Sequence, residues 1–137
     1  IDSGGAGRRR GGLGIVREVR ALQDGTIFSA RSDSHLQGAA GAEGGGDGGC
    51  GRLLRNPGHA GEAVLPSKVT HLVLEKGETI RIETPGGAGF GDPALRSVEA
   101  LAEDLLDGLV SATAARRLYG EELTSKALES AGSSESV

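Results

Sequence analysis

Aromatic residues are nearly absent from this chain. There is no Trp and no Met, and Phe28, Phe90 and Tyr119 are the only rings in 137 residues. Aromatic side chains make the largest single contributions to a core, so an independently very stable globule is not expected. Leu, Ile, Val and Phe together number 31, little above the roughly 20% share that marks disordered chains. Proline occurs four times and the glycines show no three-residue period, which excludes a collagen-like helix. The single cysteine, Cys50, has no internal partner, and this fits a reducing, cytoplasmic compartment. No apolar run approaches the roughly 18 residues of a membrane span and no signal peptide is visible, so no membrane partner is expected. A basic excess is missing too. The net charge is −4, whereas generic nucleic-acid binding requires a positive surface, so no nucleic-acid partner is expected either. The chain starts at Ile1 rather than Met, and the expectation is a piece of a longer protein.

Glycine is what the sequence does have. It fills 25 positions, and 22 of them lie within residues 1–91. This asymmetry divides the chain into a Gly-rich β region (1–93), C-terminal helices (94–120) and a frayed tail (121–137). The expected fold class is therefore α+β, mainly β hairpins with Gly-rich loops, followed by a short helical pair.

Within the β region, residues 13–22 alternate, with Leu13, Ile15, Val19 and Ala21 on one parity and Glu18 and Arg20 on the other. Alternation of this kind predicts a half-buried strand. Asp24-Gly25 follows, a strong signal for a two-residue hairpin into a second strand at 26–30. Residues 69–74 and 79–84, around Lys76-Gly77, predict another hairpin. Residues 86–91 then predict a tight glycine turn before Asp92-Pro93. Between the hairpins, more than half the positions of 38–51 are glycine. Such a segment buries too little surface to offset its backbone entropy, so it is expected as a long mobile loop, or one ordered by a neighbouring chain.

The period changes after Pro93. Val98, Leu101, Ala102, Leu105, Leu106 and Leu109 follow helical spacing, with Ser97 as N-cap and Gly108 near the stop. Ser111 is placed to cap a second helix through Ala114, Ala115 and Leu118, ended by Gly120. From about Thr124 the chain is expected to fray.

Chemistry-bearing motifs are sparse. A phosphate loop needs G-x-x-x-x-G-K-[ST], but Gly7 to Gly12 is followed by Leu13, and Gly86 to Gly91 by Asp92. Neither supplies the lysine that neutralises phosphate, and the dinucleotide pattern G-x-G-x-x-G fails as well. Arg8, Arg9 and Arg10 beside glycines are candidates for holding an anion through guanidinium and backbone N–H groups. His35, His59 and His71 show no metal-ligand spacing, so no metal site is expected in these residues. Asp33 and His35, flanking Ser34 on a loop, pair a carboxylate with an imidazole and are the candidates for acid–base work.

Four blocks then occur in a fixed order: DSGGAGRRRGGLGIVRE at 2–18, NPG at 56–58, LPSK at 65–68 and ETPGGAGFGDP at 83–93. Together with DLLDGLVSATAARRLYG near the end, they resemble the C-terminal part of the hydantoinase B/5-oxoprolinase family, which includes subunits of acetone and acetophenone carboxylases. The resemblance implies an ATP-dependent amidohydrolase that opens a cyclic amide ring, with this chain as roughly the last quarter of its B-type subunit. ATP would be used through an A-type partner subunit or half. Any divalent metal would sit upstream, in the remainder of the B-type subunit, and no cofactor would be bound by these residues. Within the same family the alternatives are a subunit of an ATP-dependent ketone carboxylase or a non-catalytic assembly module. One departure stands out: where relatives carry prolines and an aromatic before the glycine loop, this chain has Ser34-His35-Leu36-Gln37-Gly38.

From this reading, residues 1–137 alone should melt broadly at low temperature and exchange amides rapidly across 38–51. They should hydrolyse no ATP in a phosphate-release assay. A sharp transition above roughly 65 °C, the top of the usual mesophile range, would contradict the first expectation, and ATP turnover the last.

Overall fold

The computed structural model describes residues 1–134. Six strands precede three helices: β1 (Val16–Arg20), β2 (Thr26–Arg31), β3 (Arg52–Arg55), β4 (Ala63–Leu65), β5 (Lys68–Leu74), β6 (Thr79–Glu83), then α1 (Val98–Leu106), α2 (Ala112–Tyr119) and α3 (Glu121–Ser134). A short 3-10 turn at Pro93–Leu95 separates the two halves. The named strands pair antiparallel throughout, in a four-stranded sheet of order β1-β6-β3-β4 and a two-stranded sheet of order β2-β5. The α+β class, with strands first and helices last, is as expected.

The hairpins are not. β1 pairs with β6 rather than β2, and β5 pairs with β2 rather than β6. Two distant stretches run antiparallel along their whole length, with Val16 opposite Glu83 at one end and Arg31 opposite Lys68 at the other. The predicted Asp24-Gly25 and Lys76-Gly77 turns exist, but they stack at a kink in this ribbon instead of closing hairpins. Ala21 N–H donates to Glu78 O at 2.8 Å, Gly77 N–H to Ala21 O at 2.8 Å, and Lys76 N–H to Asp24 Oδ1 at 2.8 Å. Alternation specifies which side chains face inward, and a local or a distant partner satisfies it equally. At the kink the ribbon doubles over, so Phe28 and Leu72 of the outer part pack with Val19, Ile80, Ile82 and Leu65 around buried Ala21 and Leu74.

The glycine segments also differ from expectation. Residues 38–51 are not a loop without partners, and 86–91 is not a tight turn. Together with residues 3–12 they form a bundle of extended chains bonded backbone to backbone. Gly49 N–H donates to Ser3 O at 2.8 Å, Gly86 N–H to Gly49 O at 3.0 Å, and Gly87 N–H to Gly12 O at 2.8 Å. Gly46 N–H donates to Ala6 O at 2.7 Å, and Gly89 N–H to Gly46 O at 2.9 Å. The chains lie too close for side chains: a Cβ on Gly86 would fall 1.7 Å from Ser3 O, and one on Gly38 1.8 Å from Gly48 O. What a glycine chain cannot gain from apolar burial it gains here by satisfying its backbone polar groups. The neighbour that orders 38–51 is this chain itself, so the rapid amide exchange expected across that segment gives way to protection of its bonded amides, Gly46, Gly48, Gly49 and Gly51 among them.

The helical half follows its caps. Ser97 Oγ accepts from Ala100 N–H and Ser111 Oγ from Ala114 N–H, while Gly120 ends α2 at φ 89°. Where fraying was expected from Thr124, α3 continues to Ser134. Thr124 and Ala127 are fully buried and Ala131 nearly so, at helical spacing. The two alanines pack with Leu101, Ala102, Val110, Ala114, Ala115 and Tyr119, and with Ala6 from the glycine bundle. The anchors of α3 are mostly alanines, too small to stand out in an apolar pattern. Residues 135–137 of the expected tail lie outside the described residues.

A Gly86→Ala chain should lose at least about 3 kcal/mol, the upper range for overpacking, because a backbone carbonyl cannot move aside as a side chain can. Gly12→Ala meets nothing within 4 Å and should change stability by no more than about 1 kcal/mol. Denaturant midpoints of the two variants check the contrast.

Candidate functional site

The cleft that collects the most chemistry lies at the mouth of the β3–β4 pair. It encloses about 440 Å³ and is lined by His35, Leu36, Cys50, Gly51, Arg52, Val64, Leu65, Pro66 and Ser67. That volume falls within the range of small-molecule pockets. Two elements create it. Strands β3 and β4 pair from Leu53–Leu65 to Arg55–Ala63, which sets Val64 and Leu65 beside Arg52. The loop after β2 then crosses above, tied down by Gly51 N–H donating to Ser34 O at 2.9 Å and Ser32 N–H donating to Ser67 O at 2.9 Å. Ser34 holds φ 59°, a left-handed conformation that non-glycine residues adopt at a cost and that recurs at functional positions. It turns the chain so that the next two residues, His35 and Leu36, border the cleft.

Of the sequence candidates, His35 lies here. Its Nε2 is 2.7 Å from Ser32 Oγ, and the same hydroxyl lies 3.4 Å from Ser67 O, so the ring is oriented by a serine. Asp33 is exposed and does not line the cleft; the structure does not bring the two together. Arg8, Arg9 and Arg10 are also separated. Arg8 and Arg9 are exposed, with their N–H groups bonded to Gly91 O and Phe90 O. Arg10 Nε is 3.1 Å from Asp104 Oδ2, where the carboxylate also pairs with Arg96. Arg96 in turn lies over the Tyr119 ring, 5.8 Å from its centroid, and burial pushes the Tyr119 hydroxyl pKa up. This cluster joins the glycine bundle to the helices. Among the described residues, no group of three or more His, Cys, Asp or Glu is placed to hold a metal.

A second polar cluster, unseen in the sequence, anchors the NPG block. Arg55 donates to Glu78 through Nε at 2.8 Å and Nη2 at 2.5 Å. Asn56 Nδ2 donates to Glu78 Oε1 at 2.8 Å, while Asn56 Oδ1 accepts from Thr79 N–H at 2.9 Å. Glu75 N–H adds a fourth donor at 2.9 Å. The bond from Arg55 first, then those from the Glu75 N–H and Asn56, hold the Glu78 carboxyl at about 2, against an ordinary 4.5. The only sequence signal for it was the NPG block itself; its acid partner lies 22 residues away from Asn56.

The first 93 residues match the hydantoinase B/oxoprolinase family model. The chain belongs to that family. It is 38% identical over 119 residues to a protein of Pseudomonas sp. (strain NS671) named as the B subunit of a D-/L-hydantoinase, covering 86% of this chain and 20% of that one. The crystal structure of the ATP-dependent caprolactamase of Pseudomonas jessenii matches with TM-score 0.67 and 30% identity, over 88% of this chain and 21% of the other. An acetone carboxylase structure shares the fold, with TM-score 0.66 and 18% identity, over 98% and 24%. The chain thus spans about a fifth of the length of the hydantoinase and caprolactamase subunits it matches. No helix among the described residues is long and apolar enough to cross a membrane.

Because the Glu78 carboxyl titrates lower folded than unfolded, its contribution to stability is complete above about pH 4.5 and is lost as pH falls toward 2. The stability gap between the native chain and Glu78→Gln should therefore be constant from pH 7 to 5. It should close between pH 4.5 and 2, as read from denaturant midpoints at each pH.

Proposed function

We propose that this chain is part of the B-type subunit of an ATP-dependent hydrolase that opens a cyclic amide ring. The observation that carries the reading is the likeness, over most of the chain, to proteins named for a hydantoinase subunit and a caprolactamase subunit. In this reading an A-type partner handles ATP, and the remainder of the B-type subunit supplies any metal ligands. The complex works in the cytoplasm, as the lone Cys50 suggests.

The cleft beside His35 suits a small ring. Leu36, Val64, Leu65 and Pro66 offer apolar walls, while the serine-oriented imidazole of His35 offers a polar contact to an amide. Cys50 and Arg52 lie on the same rim. We assign His35, not Asp33, the substrate-facing role. A ketone carboxylase is the second reading, favoured by the fold shared with acetone carboxylase. A non-catalytic assembly module is the third.

Co-expression of the complete B-type subunit with its A-type partner decides among them. ATP hydrolysis should rise on adding hydantoin, 5-oxoproline or caprolactam and should not respond to acetone; the reverse pattern selects the carboxylase. His35→Ala should lower turnover by at least about tenfold, or 1.4 kcal/mol of barrier, and Asp33→Ala by less than about twofold. Unchanged turnover in both, with assembly intact, selects the module.

A further inference from the structure

An unpaired strand edge is a template for another strand, and chains guard such edges with charge, brevity or a bulge. Four outer edges are open among the described residues, those of β1, β4, β2 and β5. Three are guarded. β1 carries Arg17, Glu18 and Arg20 in five residues, and β4 is only three residues long. β5 is interrupted where Thr70 and His71 oppose the single residue Ser29, with His71 at φ 56°. β2 is not guarded: Thr26, Ile27, Phe28, Ser29 and Ala30 form a regular, uncharged run that ends only at Arg31.

The surroundings of that edge are apolar as well. Ile27 and its cross-strand partner Val73 are 56% and 45% exposed on the outer face of the ribbon. Leu22, just before the strand, is 81% exposed. A two-stranded sheet is marginally stable by itself, and here only one of its faces is packed.

We infer that the free edge of β2 accepts a strand from the remainder of the B-type subunit, which also covers Ile27 and Val73. The relatives' length supports this occupant over a second copy or a separate subunit. About four-fifths of each matched subunit lies outside the region that this chain covers, so the material to complete the sheet is available within one polypeptide. The inference rests on the chain being part of such a subunit.

Hydrogen exchange on the complete B-type subunit, first alone and then with its A-type partner, tests it. The amides of 26–31 that do not bond to β5 should exchange as slowly as those of β6 in the subunit alone, with no further slowing from the partner. Ile27→Lys should lower the subunit's Tm by several degrees, and Ile27→Val should leave it unchanged. Exchange at free-edge rates in both states overturns the inference. So does protection that appears only with the A-type partner, or only as subunit concentration rises, since each names a different occupant. Exchange reads the edge whether or not a cyclic amide is turned over. A protected β2 in an inactive complex would therefore sink the functional reading alone.

Discussion

Backbone approaching backbone, with no side chain between, is the constraint on which this structure depends. Residues 3–12, 38–51 and 86–91 lie so close that a methyl group on Gly86 or Gly38 would overlap a carbonyl oxygen. In exchange, N–H and C=O groups that glycine-rich chains usually leave to water are bonded to one another. A chain with three aromatic rings lacks the apolar volume for one large core. It has instead two small apolar clusters, with the glycine bundle between.

The bundle reaches into both halves. Ala6 enters the alanine-rich core of the helices, and Asp2 Oδ1 accepts from Ser111 N–H at 2.7 Å, at the start of α2. Arg10 meets Asp104 of α1 beside Arg96. A side chain that pairs with one carboxylate in a largely buried setting is structural first, because removing either partner strands a charge away from water. On the other side, Gly51 links the bundle to the loop that carries His35, through its bond to Ser34. The wall of the cleft is therefore held by the same backbone packing that holds the helices.

Apolar groups facing outward are concentrated in one half of the chain. Ile15, Val16, Leu22, Ile27, Leu36 and Val64 are all more than half exposed. Each belongs to the β half or its loops. The outer surface of the glycine bundle and helices contributes fewer such residues.

Several features were legible in the amino-acid order. Glycine density followed by helical spacing separated a β half from a helical half, and Ser97, Ser111 and Gly120 set helix ends because caps act within four residues. The four blocks identified the family, and His35 was marked as a loop imidazole. Tertiary structure decided the rest, and the physical reason is range. The strand and turn signals at 13–22, 26–30, 69–74 and 79–84 specified strands but not partners, so two apparent hairpins became one long kinked ribbon. Glycine density registered backbone entropy but not the hydrogen bonds that offset it, which come from segments tens of residues away. The alanines of α3 carried too little apolar area to signal a helix until α1 and α2 were there to pack against. Arg10 stood among the anion-binding candidates, and its anion in the fold is Asp104, 94 positions later in the chain.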